Sequence, residues 1–267
     1  MVKTVSLLLV LVGSLLCVSC AVNPVTGENQ LMLISPAQEQ QIGAQYAPEV
    51  AKQLGGPIQN SVLQNYINSI GQRAAAASLA HRPDLRFRYT ALNDKSINAM
   101  ALPGGHVFIT KGLLSEMTSA DQLAAVLAHE TAHVTIRHSA ISMSNQIGMD
   151  MVLSVAVPEG SSGGATTISQ ITNQMIHLGH SREHEYQADS VGTDYLVNAG
   201  FSCYAMIEMM EILQRQNKAR PFEYFSTHPD PAKRKENVRE QIALKKYPAV
   251  KRTDPANYRK FVLENLN

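Results

Sequence analysis

Two histidines four residues apart, His129 and His133, stand in the stretch AAVLAHETAHVTIRH (124–138), with Glu130 directly after the first. On a helix, residues i and i+4 share a face, so both imidazoles project the same way. Zinc takes nitrogen donors at about 2.0 Å with tetrahedral angles, and such a pair supplies two corners. Glu130 is turned away from those corners, yet it can reach a water in the open position and take its proton. The competing explanation is chance on a solvated helix face. It fits poorly, because the helix is otherwise apolar and polar groups buried in it need a reason.

A third protein ligand must come from further along. The candidates are His177, His180, Glu183, His184, Glu185 and His228. The segment SREHEYQADSVG favours Glu185, because Asp189 follows four residues later on the same helix face. One carboxylate can bind the metal while the other accepts the second N–H of a ligating histidine. His184 is the rival ligand, but it points about 100° away from Glu185 on a helix, so the two cannot face one ion. His177 and His180 read as surface or loop residues, and His138 as structural.

These residues need helices to hold them. Ser119-Ala120-Asp121-Gln122 is a capping box that starts the helix bearing His129. An earlier box, Ser35-Pro36-Ala37-Gln38, opens a helix ended by Gly55-Gly56. A second helix is expected over 58–78, with Val62, Tyr66, Ile70 and Ala74 on its buried face. LRFRYTAL alternates apolar and polar residues as a half-buried strand does, and HVFIT (106–110) follows a Pro-Gly-Gly turn as a second strand. That second strand could accept an extended peptide by strand addition. PEGSSGGATT (158–167) reads as a mobile loop, and helical periodicity resumes near Ile168 and runs, with an interruption at Gly179, to Asn198, before Gly200. Met206, Met209 and Met210 read as core filling.

The 267 residues are 45% hydrophobic and carry a net charge of +1, which suits a single globular domain and provides no field for nucleic acid. Residues 1–19 differ: Lys3 precedes an apolar run too short to span a bilayer, as in a secretory signal. The run ends at Cys20, preceded by Ser19, which points to lipidation of Cys20. The expected organisation is therefore a lipoprotein signal over 1–19 and one domain over 20–267. Apart from Cys20, that domain holds a single cysteine, Cys203, so it has no internal disulfide and Cys203 reads as a small core residue.

HETAH, EYQAD and STHPDPAKR together resemble the zinc peptidases that include HtpX and the CAAX prenyl endopeptidases. NPVTG, NAMALPGGHVFITKGLL and HETAHVTIRH are closer still to that family's periplasmic lipoprotein members. The resemblance covers roughly residues 23–239. It implies an α+β, mainly helical zincin-like metallopeptidase domain with a small β-sheet, holding one zinc ion per chain. It further implies His129, His133 and Glu185 as ligands, Glu130 as general base, and Asp189 as support for the site or proton donor. The family also carries a His and an Arg where this chain has His228 and Arg234, the candidate donors to the oxyanion. A neutral His228 could instead fill the fourth zinc position. The partners implied are polypeptide substrates and, through Cys20, a membrane, with the periplasmic face of the outer membrane as location. Two departures stand out. No transmembrane helix is expected after residue 20, and the helical repeats that follow the peptidase domain in some lipoprotein members have no counterpart before Asn267. The rival from another class is a non-catalytic assembly factor for outer-membrane proteins. An intact Glu130 argues against it, since a holdase has no use for a base beside a metal.

Overall fold

The computed structural model describes residues 20–156, 180–219, 228 and 231–266. The expected signal sequence, the glycine- and serine-rich stretch 158–167 and His177 lie outside these residues. The chain begins with an antiparallel hairpin, β1 (Cys20–Val22) and β2 (Asn29–Leu31). Asn23 closes its turn, accepting N–H groups from Val25 and Thr26. The capping box at Ser35 forms in full and starts α1 (Pro36–Gln53), after which Gly55 and Gly56 take φ of 77° and 75°, the left-handed conformation that glycine adopts freely.

Helix α2 (Ser61–Ser78) begins three residues later than expected, at an Asn60 cap. Its buried face is Leu63, Ile67, Ile70 and Ala74, whereas Val62 is exposed and Tyr66 is half-buried and stacks on Phe261. The expected and observed stripes share Ile70 and Ala74. Sheet packing decides between them, because Gly71 must also face inward, where any Cβ would overlap the Tyr89 ring.

Strands β3 (Arg88–Leu92), β4 (Ala99–Leu102) and β5 (His106–Thr110) form a sheet in the order β3-β5-β4, with β5 parallel to β3 and antiparallel to β4. The sequence reading passed over β4. The strand HVFIT, expected to be open to a peptide, is instead central: both its edges are already paired, so no backbone donors or acceptors remain for a third strand. Of the two edge strands, β3 has part of its outer side taken by Pro57 and the Gln64 side chain, while β4 has no second strand partner among the described residues and lies beside the helix of the histidine motif.

After a short α3 (Lys111–Glu116) comes that helix, α4 (Ala120–Ile136). Ser119 accepts from the Gln122 N–H, but the Gln122 side chain accepts from Thr118 rather than from the cap residue, so the box closes one residue early. All of α4 except Gln122 is buried. It packs among α2, α6 (Arg182–Asn198), α7 (Tyr204–Ala219) and β4, which is why it lacks a polar face. It ends at Arg137 (φ 70°), and α5 (His138–Ala156) leaves in a new direction. The charged α8 (Pro231–Lys245) buries little besides Arg234 and Val238 of its side chains, and α9 (Pro255–Phe261) follows. Met206, Met209, Met210 and Cys203 are buried, as expected for core residues. The architecture is α+β and mainly helical with small sheets. No helix among the described residues is long and apolar enough to cross a membrane.

Candidate metal centre

Helix α4 projects His129 and His133 from one face, and α6 lies against that face. Their approach is set by Gly192: a Cβ there would sit 3.1 Å from both the Cα and the N of His129. Glu185, Asp189 and Gly192 occupy i, i+4 and i+7 of α6, so the face that touches α4 backbone also brings both carboxylates to the histidines. Glu185 and His129 are fully buried, and Asp189 and His133 nearly so.

Four groups converge: His129, His133, Glu185 and His228. The Nε2 atoms of His129 and His133 are 3.0 Å apart, Glu185 Oε2 is 3.6 Å from the first and Glu185 Oε1 is 3.3 Å from the second. A tetrahedron with zinc–ligand bonds of 2.0–2.1 Å has edges of about 3.3 Å, so these separations fit one zinc ion. The donor chemistry agrees. Two imidazole lone pairs cannot face each other at 3.0 Å without a proton or a cation between them. Burial opposes charge on His129, but Asp189 and Glu185 outweigh it and raise its pKa to about 9, whereas burial lowers that of His133 to about 3. A metal ion between the two nitrogens would meet that requirement.

The surroundings fix the donors. Asp189 Oδ1 lies 2.9 Å from His129 Nδ1, an ion-pair contact that leaves Nε2 toward the other donors. Burial alone would push the Asp189 carboxyl up, but Arg234 and His129 hold it below its ordinary range. Arg234, on α8, donates to both Asp189 oxygens at 2.7 Å and pairs through Nη1 with Glu185 Oε2 at 2.6 Å. The guanidinium considered above as an oxyanion donor therefore faces two carboxylates. Glu185, too, is held well below the carboxylate range: burial opposes its charge, and His228 and Arg234 outweigh that. His228 Nδ1 lies 2.9 Å from Glu185 Oε1 and 3.5 Å from His129 Nε2, while its Nε2 is 3.8 Å from Glu130 Oε1.

Glu130 differs from the other two carboxylates. It is buried, and neither oxygen has a hydrogen-bond partner among the described residues. Burial raises its pKa, which makes its carboxylate a stronger base than one in water.

His184 stands outside the group of four and stacks on His138, ring centroids 4.3 Å apart. His180, expected at the surface or in a loop, is half-buried with its ring 3.9 Å from that of His133. His138 approaches His133 from the other side of the helix break, Nδ1 to Nδ1 at 2.9 Å. The sequence reading missed Gly192 altogether. Its signal was a glycine three residues after Asp189 on the carboxylate face.

A helix bearing His-Glu-x-x-His, crossed by a second helix bearing a buried carboxylate, is the donor arrangement of a zinc metallopeptidase. The comparisons agree: residues 61–242, which contain every residue of this centre, match the model of peptidase family M48, and the chain belongs to that family of zinc metallopeptidases. Among curated proteins it is 32% identical to the beta-barrel assembly-enhancing protease of Escherichia coli over 231 residues, 81% of this chain and 46% of that protein. It is 30% identical to the mitochondrial metalloendopeptidase OMA1 of Schizosaccharomyces pombe over 184 residues, 66% of this chain and 52% of that one. It is 27% identical to metalloprotease LoiP of E. coli over 158 residues, 58% and 62% respectively. The chain thus spans about half the length of the first two relatives.

The Gly192 contact generates a prediction. Gly192→Val should force α4 and α6 apart, costing about 1–3 kcal/mol of stability as overpacking does, and should lower bound zinc. Thermal melts with metal analysis check this, and a variant with full zinc content would show that the crossing does not set the site.

Proposed function

We propose that this chain is a zinc-dependent endopeptidase of the bacterial cell envelope that hydrolyses peptide bonds in misfolded or misassembled envelope polypeptides. His129, His133 and Glu185 hold the ion, and Glu130 is the general base. Bound there, zinc polarises the scissile carbonyl and lowers the pKa of the attacking water. Glu130 takes the water's proton at a carboxylate oxygen and can return it to the leaving amine. Asp189 and Arg234 orient His129 and Glu185 rather than touch substrate. The edge of β4 pairs with extended substrate through backbone hydrogen bonds, giving weak side-chain preference. The observation that carries this reading is the desolvated carboxylate of Glu130 beside the donor set, without a hydrogen-bond partner among the described residues: a holding protein would gain nothing from bearing its cost.

Membership of family M48 and likeness to proteins named as assembly-enhancing and other metalloproteases support the substrate class and the envelope setting. For the remainder we propose residues 1–19 as a lipoprotein signal, 20–267 as one peptidase domain, and Cys20 as a lipid anchor to the outer membrane. The last rests on the apolar run that ends at Cys20.

Zinc analysis beside a casein digestion assay tests the central claim. Glu130→Gln should keep its zinc and lose about 10²–10⁴ in rate, the usual weight of a general base, whereas alanine at His129, His133 or Glu185 should lose both metal and cleavage. A Glu130→Gln variant as active as the parent would sink the reading. His228 generates a separate prediction, since its Nδ1 lies among the donor atoms and a four-ligand zinc site has no open position. His228→Ala should keep zinc and raise basal casein turnover, and a fall would instead mark His228 as an oxyanion donor. Metabolic labelling with palmitate should mark the protein and disappear in Cys20→Ala, and labelling that persists there would move or remove the anchor.

A further inference from the structure

We propose that His138 is a positioning residue for His133, at the head of a hydrogen-bonded chain His133–His138–Gln187–Glu28 that fixes which nitrogen of His133 faces the metal. The inference rests on the ligand assignment proposed above and deepens it.

On an unbroken helix His138 would lie about 140° around from His133 and could not meet it. The break at Arg137 (φ 70°) turns the chain so that the first residue of α5 folds back, bringing His138 Nδ1 to 2.9 Å from His133 Nδ1. Both rings are buried. Beyond, His138 Nε2 is 3.0 Å from Gln187 Oε1, Gln187 Nε2 donates to Glu28 Oε2 at 3.0 Å, and Gln30 Nε2 donates to the same oxygen at 3.3 Å.

The direction of this chain follows from its last member. The Glu28 carboxyl accepts from Gln187 Nε2, so the Gln187 amide turns its NH₂ toward Glu28 and its oxygen toward His138. That oxygen only accepts, so His138 Nε2 carries the proton and its Nδ1 holds a lone pair. That lone pair can only receive the Nδ1–H of His133, which leaves His133 Nε2 bare, the form a zinc ligand requires. Reversed polarity would set the Gln187 oxygen against Glu28 or a bare His138 nitrogen against a carbonyl oxygen, and would put a proton on His133 Nε2 among the donor atoms. Each link therefore agrees with the next.

Two further rings lie against the pair. His180 stacks on His133 at 3.9 Å and 27°, and His184 stacks on His138 at 4.3 Å and 12°. The two histidine ligands are thus oriented by different means: His129 by a charged partner on the neighbouring helix, His133 by a neutral imidazole whose polarity is set from the β1–β2 turn. The role of Glu28 also explains why a hairpin distant in sequence is fastened to the end of α4, through the donation of Asn23 Nδ2 to the Ile136 carbonyl at 2.7 Å.

The test is the zinc dissociation constant, measured by chelator competition on the full chain, with a thermal melt of each metal-free variant. His138→Leu should weaken zinc binding by about 10–100-fold, the usual effect of losing a partner behind a metal-binding histidine. His138→Gln, which keeps a carbonyl acceptor, should recover part of the loss. Gln187→Leu should shift affinity in the same direction by less, and His184→Leu, which loses only a stacking contact, should leave it unchanged. In the zinc-loaded parent, ¹⁵N NMR of the histidine side chains should show His138 protonated at Nε2 and bare at Nδ1, a signature that a merely structural role would not set. His138→Leu binding zinc as tightly as the parent, or a proton on His138 Nδ1, would overturn the inference while His133→Ala still lost its metal. If His133→Ala bound zinc like the parent, the ligand assignment itself would fail and the inference with it. Should His138→Leu not fold, His138→Gln and the NMR of the parent decide.

Discussion

The centre depends on how closely α6 crosses α4. At Gly192 the backbone of one helix rides against His129 of the other, so closely that a Cβ would sit 3.1 Å from the His129 backbone and the helices would have to give by a few tenths of an ångström to admit it. That contact fixes the height at which Glu185 and Asp189 meet the two histidines. It also removes both carboxylates from water, which costs several kcal/mol for each ion unless opposite charge is brought with them. Arg234, carried in by α8, faces both carboxylates, and His129 faces Asp189. The crossing of α4 and α6 and the docking of α8 are therefore coupled energetically: without Arg234 the buried pair loses the guanidinium that faces both of its members.

The three buried carboxylates then take different characters from their surroundings. Glu185 and Asp189 are held ionised by paired charge, whereas Glu130, 3.8 Å from His228 Nε2, has no hydrogen-bond partner among the described residues. Structure and reactivity are divided on that line. The compensated groups can hold and orient, and the uncompensated one is the group with free energy to gain from a proton.

A buried helix with three polar site residues must also be satisfied and held. Thr131 donates to the Leu127 carbonyl and meets the Tyr89 hydroxyl at 2.7 Å, and Thr135 donates to the Thr131 carbonyl. At its start, Asp121 accepts from the backbone of Ser202 and Thr253. At its end, Asn23 holds the Ile136 carbonyl, while Arg137 pairs with Glu39 and donates to the Ile34 carbonyl. Segments from both ends of the chain thus fix α4 in place, and rigid support is what a metal centre needs to keep its ligands within bonding tolerance.

The sequence by itself determined the local parts. The His-Glu-x-x-His spacing put two imidazoles on one helix face, the 185/189 spacing put two carboxylates on another, and Ser35, Ser119 and Gly200 marked helix ends that the structure keeps. These rest on the 3.6-residue period and on capping, which neighbouring residues suffice to set. What only the tertiary structure decided is everything that depends on a second element. Which stripe of α2 is buried, which strand keeps a free edge, and that Arg234 is absorbed by two carboxylates all follow from packing. His138 shows the difference best. Read along the chain it lies on the wrong side of the helix from His133, and only the left-handed turn at Arg137 brings the rings together. A side chain's partners depend on where the backbone turns next, and a periodic pattern holds no record of the residue at which its own period stops.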